Sequence, residues 1–396
     1  MYRALCLLLC VSSFAFTQTS NQTQNSGSSG SSVVQVVDVI NGSALTTYNV
    51  DPETFEATEI GAITINQSNS PTLITSPNGR FLYYFADQGY FETANTLYVY
   101  DTNASGLPGT TAVQSMGASR LAAWAMHPSG KFLYTAEQGN VNSQFILSYA
   151  VVRRLINEKD GTLSHPVTAA TYEVDAYPSG NDCNLLILGF NPSGTTMYDA
   201  VSCNAPHGTS SETYYASPVN LQTGAVGPQQ QIYTWNYYAG SGYETVQFAN
   251  NLMFDFGTTE FPPTSWVDIY RVAPNVTTPL VNCTSSMWAI CGDYELEPLP
   301  LVHPSGKYVF LAQYDSSVTT YIGKVNYTTD EITQTSLIPY GVGQFSPDGT
   351  IVYASGSMDI EIYGFDLASG QVVQGGTIGG LASYPTPGTY LATERY

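Results

Sequence analysis

Two short patterns alternate along this chain, each seven times, and that alternation limits the possible folds more than any other feature of the sequence. The first joins a tight turn to an aromatic strand. It reads SPNGRFLYYF from Ser76, HPSGKFLYTA from His127, NPSGTTMYDA from Asn191, HPSGKYVFLA from His303 and SPDGTIVYAS from Ser346, with weaker copies FANNLMFDFG from Phe248 and PTPGTYLATE from Pro385. The second is an alternating strand, a turn rich in Asn, Asp, Ser, Thr and Gly, and another strand: YNVDPETFEA at Tyr48, YDTNASGLPG at Tyr100, INEKDGTLSH at Ile156, VNLQTGAVGP at Val219, YRVAPNVTTP at Tyr270, VNYTTDEITQ at Val325 and FDLASGQVVQ at Phe365.

Each period of about 40 to 64 residues therefore carries two hairpins, strands A and B around the first pattern and strands C and D around the second. One four-stranded antiparallel sheet has two apolar faces to cover, and stacking similar sheets radially covers both. The expected fold is all-β, a seven-bladed β-propeller of four-stranded antiparallel blades over residues 33–396, with N- and C-terminal strands sharing one blade. On this count the chain opens with a C–D hairpin and closes with an A–B hairpin. Residues 33–39 are then one strand too many, competing with 389–395 for a place. Turn glycines at 79, 130, 194, 306, 349 and 388 take the left-handed position, with Asn250 standing in for the seventh.

Residues 1–17 have the layout of a signal peptide: Arg3, an apolar run from Ala4 to Val11, then small and polar residues. Cys10 follows three leucines, where a lipid-attachment signal wants a small residue. Residues 18–32 are Ser, Asn, Gln, Thr and Gly, a flexible tether. No later apolar run approaches the roughly 20 residues of a membrane span. The mature chain is expected to be secreted or periplasmic, off the membrane after cleavage, and a monomer.

With 31 Asp plus Glu against 11 Lys plus Arg, and a formal net charge of -20, nucleic acid and anionic membrane surfaces are excluded as partners. Small-molecule lactones, glycans and extracellular proteins remain. Of six cysteines, Cys6 and Cys10 leave with the leader. Cys183 and Cys203 flank the third A–B turn almost symmetrically, which suits a cross-strand disulfide, and Cys283 with Cys291 pair by elimination. Sequons stand at Asn21, Asn41, Asn66, Asn103, Asn275, Asn282 and Asn326, which fit glycosylation in a eukaryotic source and chance in a bacterial one.

The form Pro-x-Gly-x-aromatic-Leu-Tyr, followed by Thr-Gly-x-Leu-like turns, resembles the lactonase-type propellers, also called YVTN repeats, which include a bacterial 6-phosphogluconolactonase and fungal muconate-lactonizing enzymes. The resemblance covers residues 33–395. It implies a metal-independent propeller with its ligand over the central channel, and it rests on turn and core residues that shape blades rather than on catalytic ones.

Strand A opens on the face opposite the A–B turns, so its first residues are candidates for the channel mouth. Arg120, with Glu244 or Glu297, would supply the cation and the acid or base that a metal-free lactonase needs. Asn184, His207 and Tyr243 are the accompanying ligand-binding candidates, with Asp182 beside them. A rim of solvated residues or ion pairs accounts for the same set. His127 and His303 open A–B turns where Ser76, Asn191 and Ser346 stand in sister copies, which reads as turn stabilisation, and His165 reads as solvated. Aromatics between Tyr233 and Tyr243 and between Phe261 and Trp266 offer either a contact surface or blade packing. Arg80, Lys131 and Lys307 follow turn glycines and Arg153, Arg154 and Lys159 share an outer hairpin, so few cations are left for a phosphate. No metal cluster, cofactor motif, nucleophile elbow or phosphate loop is legible. The leading expectation is a ligand- or protein-binding scaffold; the alternative is a metal-independent hydrolase of an unphosphorylated lactone.

Overall fold

The strands fall where the two patterns alternate, in seven separate four-stranded antiparallel sheets. The computed structural model describes residues 34–68, 71–86, 95–118, 121–141, 146–175, 182–204, 209–238, 242–260, 263–276, 278–284, 300–315, 317–381 and 390–395, with no helix among them. The chain begins with β1 (Val34–Asn41), β2 (Ala44–Val50) and β3 (Ala57–Thr64). Blade 1 follows as β4 (Thr72–Thr75), β5 (Phe81–Ala86), β6 (Asn95–Asp101) and β7 (Gln114–Ala118). Blade 2 is β8 (Leu121–Met126), β9 (Phe132–Val141), β10 (Ile146–Leu155) and β11 (Val167–Asp175). Blade 3 is β12 (Asp182–Phe190), β13 (Thr196–Asn204), β14 (Thr209–Pro218) and β15 (Gln230–Tyr238). Blade 4 is β16 (Gly242–Ala249), β17 (Leu252–Glu260), β18 (Pro263–Arg271) and β19 (Val281–Thr284). Blade 5 is β20 (Leu301–Val302), β21 (Tyr308–Asp315), β22 (Ser317–Asn326) and β23 (Glu331–Ile338). Blade 6 is β24 (Gly341–Phe345), β25 (Ile351–Ser355), β26 (Ile360–Phe365) and β27 (Val372–Ile378), and β28 (Tyr390–Arg395) returns to β1.

Blade 7 corrects the strand count. Its order is β28-β1-β2-β3, so one strand comes from the C-terminal end and three from the N-terminal end, rather than two from each. The supernumerary segment, as β1, is strand B, pairing Val36 with Thr393 on one side and Val37 with Tyr48 on the other. There is accordingly no seventh A–B turn between these strands. Arg395 lies opposite Val34, so the end of β28 and the start of β1 stand where a turn would be. Residues 382–389, which include the turn of the weak seventh copy, lie outside the described residues, and the strand of that copy is β28.

Burial follows position in the blade. Strand B runs continuously buried, as in β5 and β25, because both of its faces meet neighbouring sheets. Outer strands such as β3 and β27 alternate toward solvent. The buried apolar side chains form seven clusters, one in each seam between blades, which is what a closed ring of seven requires.

The same contact recurs in several seams. The Tyr83 hydroxyl donates to the Gly161 carbonyl at 3.0 Å, Tyr134 to Gly224 at 2.8 Å, and Tyr308 to Leu367 at 2.9 Å, each joining strand B to the C–D turn of the next blade. Gly161 and Gly370 have φ of 72° and 74°, and a Cβ would meet Phe81 at 2.4 Å or Tyr308 at 2.6 Å, so those turns accept only glycine. Between blades 6 and 7 the arrangement is reversed. Phe55 takes the left-handed turn position with φ 61°, and its side chain fills the space that a Cβ on Gly364 or Gly375 would need. Its carbonyl accepts from the Gly376 N–H at 3.0 Å. The fully buried Tyr353 hydroxyl, equivalent to those of Tyr83 and Tyr134, then has no hydrogen-bond partner among the described residues.

His127 and His303 stabilise turns, as their positions imply, and also bind adjacent blades together. Each Nδ1 accepts the N–H of the serine two residues on, at 3.1 and 3.0 Å, and each Nε2 donates to the turn glycine of the next blade, Gly194 or Gly349, at 2.9 Å. Both rings are 1% exposed. Burial lowers the pKa of His127 and holds His303 at about 4, against 6.5 when free.

Two predictions follow from these seams. Tyr353→Phe removes a buried unsatisfied hydroxyl and should raise stability to urea by about 1 kcal/mol, whereas Tyr83→Phe and Tyr134→Phe should each lower it by about 1 kcal/mol. A loss at position 353 equal to those at 83 and 134 would contradict the reversed seam. For His303, the folded pKa lies below the unfolded one, so its contribution is complete above pH 6.5 and is lost as pH falls toward 4. His303→Ser, the residue of the sister turns, should flatten the acid limb of a stability–pH curve by about 1.4 kcal/mol per pH unit in that window. An unchanged slope would show that the imidazole titrates freely.

Candidate functional site

Topology separates the two ends of the ring. The A–B turns, the C–D turns, the start of β1 and the end of β28 lie at one end; the D-to-A and B-to-C connections, and the openings of the A strands, lie at the other. Asn184 lies in the opening turns of β12 opposite Ser202, while Tyr243 and Glu244 open β16 opposite Thr258 and Gly257. The backbone thus sets these three at A-strand openings of blades 3 and 4. Their side chains, and Arg120, His207 and Glu297 as a whole, lie outside the described residues, as do Cys183's and Cys283's side chains and Cys291. Cys183 and Cys203 are direct partners in the β12–β13 register, the alignment a cross-strand bridge needs. His165 is exposed, as expected of an outer hairpin.

Around the described part of the inner ring, side-chain amides and hydroxyls close the A strands against one another. Gln247 of β16 accepts the Val302 N–H at 2.8 Å and donates to the Pro300 carbonyl. Gln344 of β24 accepts the Ala392 N–H at 2.7 Å, and the Thr75 and Thr393 hydroxyls are 3.3 Å apart. These groups satisfy the backbone of A strands that have no fifth strand to pair with, so their polarity is structural.

The cations among the described residues stand at one end of the ring. Arg80, Lys131 and Lys307 follow A–B turns; Arg153, Arg154, Arg271 and Lys324 lie near the C-terminal ends of C strands; Lys159 is in a C–D turn; Arg395 ends β28. All nine belong to the turn end. Of the eleven Lys and Arg in the sequence, the other two, Arg3 and Arg120, lie outside the described residues. Several of the nine are also engaged. Arg80 donates to the Lys159 carbonyl at 2.7 Å and pairs with Asp101 at 3.5 Å; buried Arg154 donates to Thr135 at 3.1 Å and meets Glu137 at 3.5 Å.

Two carboxyl groups have a perturbed acidity that sequence reasoning missed. Asp199 is fully buried in strand B of blade 3, accepts from Gln229 at 2.6 Å and Ser217 at 3.2 Å, and is pushed up by burial to about 7. It occupies the strand-B position that Asp255 holds in blade 4, five residues after the turn, and both are at most 1% exposed. That repetition in the blade interior marks a packing role. Glu212 differs, because it lies near the start of β14, at the mouth end, on the rung that runs Asn184, Ser202, Glu212, Trp235. It is partly exposed, and desolvation pushes it up to about 7, in the range where a carboxyl exchanges protons at neutral pH. Its place in a Ser, Thr and Tyr strand gave no warning of this, since the effect comes from cross-strand neighbours.

Among the described residues no three His, Cys, Asp or Glu side chains gather as a metal site. A shallow groove of about 590 Å³ lies at the C–D hairpin of blade 2, lined by Lys131, Leu155, Asn157, Glu158 and Leu163. It is on the turn end, away from the A-strand openings. Of the candidate contact aromatics, Tyr233 packs 5.6 Å from Tyr270 across the seam between blades 3 and 4, and Trp266 lies over Gly257, where a Cβ would meet its ring at 1.8 Å. These two are blade packing; the side chains of Tyr237, Tyr238 and Tyr243, and Phe261, lie outside the described residues.

No protein-family model and no curated protein matches the chain. Solved structures do. It is similar to a 6-phosphogluconolactonase-like protein of Bacteroides fragilis at 15% identity and TM-score 0.56, covering 92% of this chain and 99% of that one. It is similar also to the periplasmic gluconolactonase of Pseudomonas aeruginosa at 13% identity and TM-score 0.58, and to a Lactobacillus plantarum protein at 14% and 0.56, each covering 91% of this chain and 99% of the other. Identities this low speak to architecture rather than chemistry. The chain is a seven-bladed propeller of the lactonase-like fold.

Proposed function

We propose that the protein is an exported binding propeller whose ligand, a neutral lactone, a glycan or an uncharged patch of an extracellular protein, sits over the channel mouth opposite the A–B turns. The observation that carries this reading is the placement of all nine described cations at the turn end; after the expected leader, Arg120 is the one further cation of the sequence. One guanidinium can orient a carbonyl or a single carboxylate. It does not match a phosphate monoester, which takes several convergent donors. The layout of residues 1–17 and the even cysteine count of the remainder support export and an oxidised state, with Cys183 bridged to Cys203 and Cys283 to Cys291.

A panel of lactones and oligosaccharides, each measured with its phosphorylated counterpart by calorimetry and by proton release, tests the reading. It predicts saturable binding of an unphosphorylated member, at least about tenfold weaker binding of the phosphorylated one, and no proton release. Tighter binding of the phosphorylated form would overturn it. Turnover of an unphosphorylated lactone that vanishes in Arg120→Ala would replace it with the hydrolase reading, in which Arg120 acts with Glu244 or Glu297. Glu212→Gln belongs in the same series, because burial pushes this carboxyl up to about 7, and loss of a pH dependence near 7 in the variant would tie any turnover to it. For the cysteines, alkylation of the mature protein under denaturing conditions should find no free thiol; two or more would refute the pairing.

A further inference from the structure

Six sequons lie within residues 33–396, and the fold sorts five of them by what their amide groups are doing, while Thr277 of the Asn275 sequon lies outside the described residues. Asn103 stands in the C–D turn of blade 1 and Asn326 ends β22 at the C–D turn of blade 5, both exposed. Asn103 Oδ1 accepts the Ser105 and Leu107 N–H groups at 3.0 Å each and the Ser105 hydroxyl at 2.7 Å. Asn326 Oδ1 accepts the Thr328 and Thr329 N–H groups at 3.0 and 3.3 Å. Ser105 and Thr328 are the hydroxyl residues of the two sequons. With the planar amide's oxygen tied into the turn, its nitrogen lies on the outer side, and neither Nδ2 makes a hydrogen bond among the described residues. The contrast is with Asn282, whose Nδ2 donates to Asp268 Oδ1 at 2.6 Å, with Asn66, whose Nδ2 donates to the Tyr98 hydroxyl, and with Asn41, whose Nδ2 reaches the Gly380 carbonyl at 3.5 Å.

We propose that Asn103 and Asn326 are N-glycosylation sites of the exported chain and that Asn41, Asn66 and Asn282 are not. This rests on the export reading above. In the transfer, Nδ2 attacks the anomeric carbon of a lipid-linked oligosaccharyl diphosphate, an N–C bond forms, the C–O bond to the diphosphate breaks, one amide proton passes to a base of the transferase, and the lipid diphosphate leaves. The reaction needs an exposed nitrogen free to be reoriented, which the two turn asparagines offer. At Asn282 and Asn66 it would place a sugar on a nitrogen already committed to the fold. Both proposed sites are at the turn end of the ring, so their glycans leave the opposite mouth uncovered.

The full chain is secreted from a eukaryotic host, once with its own first 17 residues and once with a host leader in their place, and treated with peptide N-glycosidase in heavy-oxygen water before peptide mapping. Label is expected at Asn103 and Asn326 in both preparations, with N103Q and N326Q each losing one glycan's mass. Secreted protein lacking label at both positions, or labelled as heavily at Asn66 or Asn282, overturns the proposal. Label at the two turns only with the host leader sinks the export reading while the sites stand.

Discussion

A four-stranded sheet with two apolar faces has no stable existence alone, and the whole structure depends on how each blade covers the next. Apolar packing fills every seam, but packing alone does not set the spacing of one sheet on another. The directional element is a strand-B aromatic that lies against the C–D turn of the following blade and donates its hydroxyl to that turn, as Tyr83 does to Gly161 and Tyr134 to Gly224. The imidazoles of His127 and His303 do the same at the A–B turns. Both bonds reach carbonyls whose position follows from a glycine in the left-handed region, so turn geometry and blade spacing are determined together.

This explains why so much of the fold is legible in the sequence. The turn glycine and the aromatic four residues on, as in Gly79 and Tyr83, are seam residues, and seams repeat with the blade. The strand that the repeat left unplaced, β1, is joined to β2 by a tight turn at Gly42 but belongs to neither repeated pattern. Its position as strand B of blade 7 is defined by pairing with β2 on one side and, on the other, with β28, more than three hundred residues away. Phe55 was hidden for a related reason: it replaces a glycine in the turn, and its compensation is three glycines, Gly364, Gly375 and Gly376, on another blade. A repeat search detects similarity, and here the fit comes from complementary departures from it.

The candidate site was less legible because nothing in it repeats. Asn184, Tyr243 and Glu244 were reached from topology, by asking which residues open the A strands, and the backbone places them there. Glu212 was not reached, since its acidity depends on being enclosed by strands that the sequence does not show as neighbours. The cation distribution emerged only with the fold: Arg271, Lys324 and Arg395 are far apart in sequence, yet all stand at the end of the ring that carries the turns. Among the described residues positive charge is thereby kept away from the mouth where strand A opens, and this matters more to ligand choice than the net charge of the chain.

The account stands or falls on closure of the ring by β28 against β1, because the two ends of the channel, and hence the faces assigned to cations and ligand, are defined by it. Native-state hydrogen exchange of the full-length protein, read at Leu391 and Thr393 of β28 and at Asp38 and Val36 of β1, tests it directly. Those amides that pair across the β28–β1 ladder should be protected together and should open together, as one sheet. Exchange of β28 at the rate of an unstructured tail, with β1 still protected, would contradict the closure and the orientation built on it.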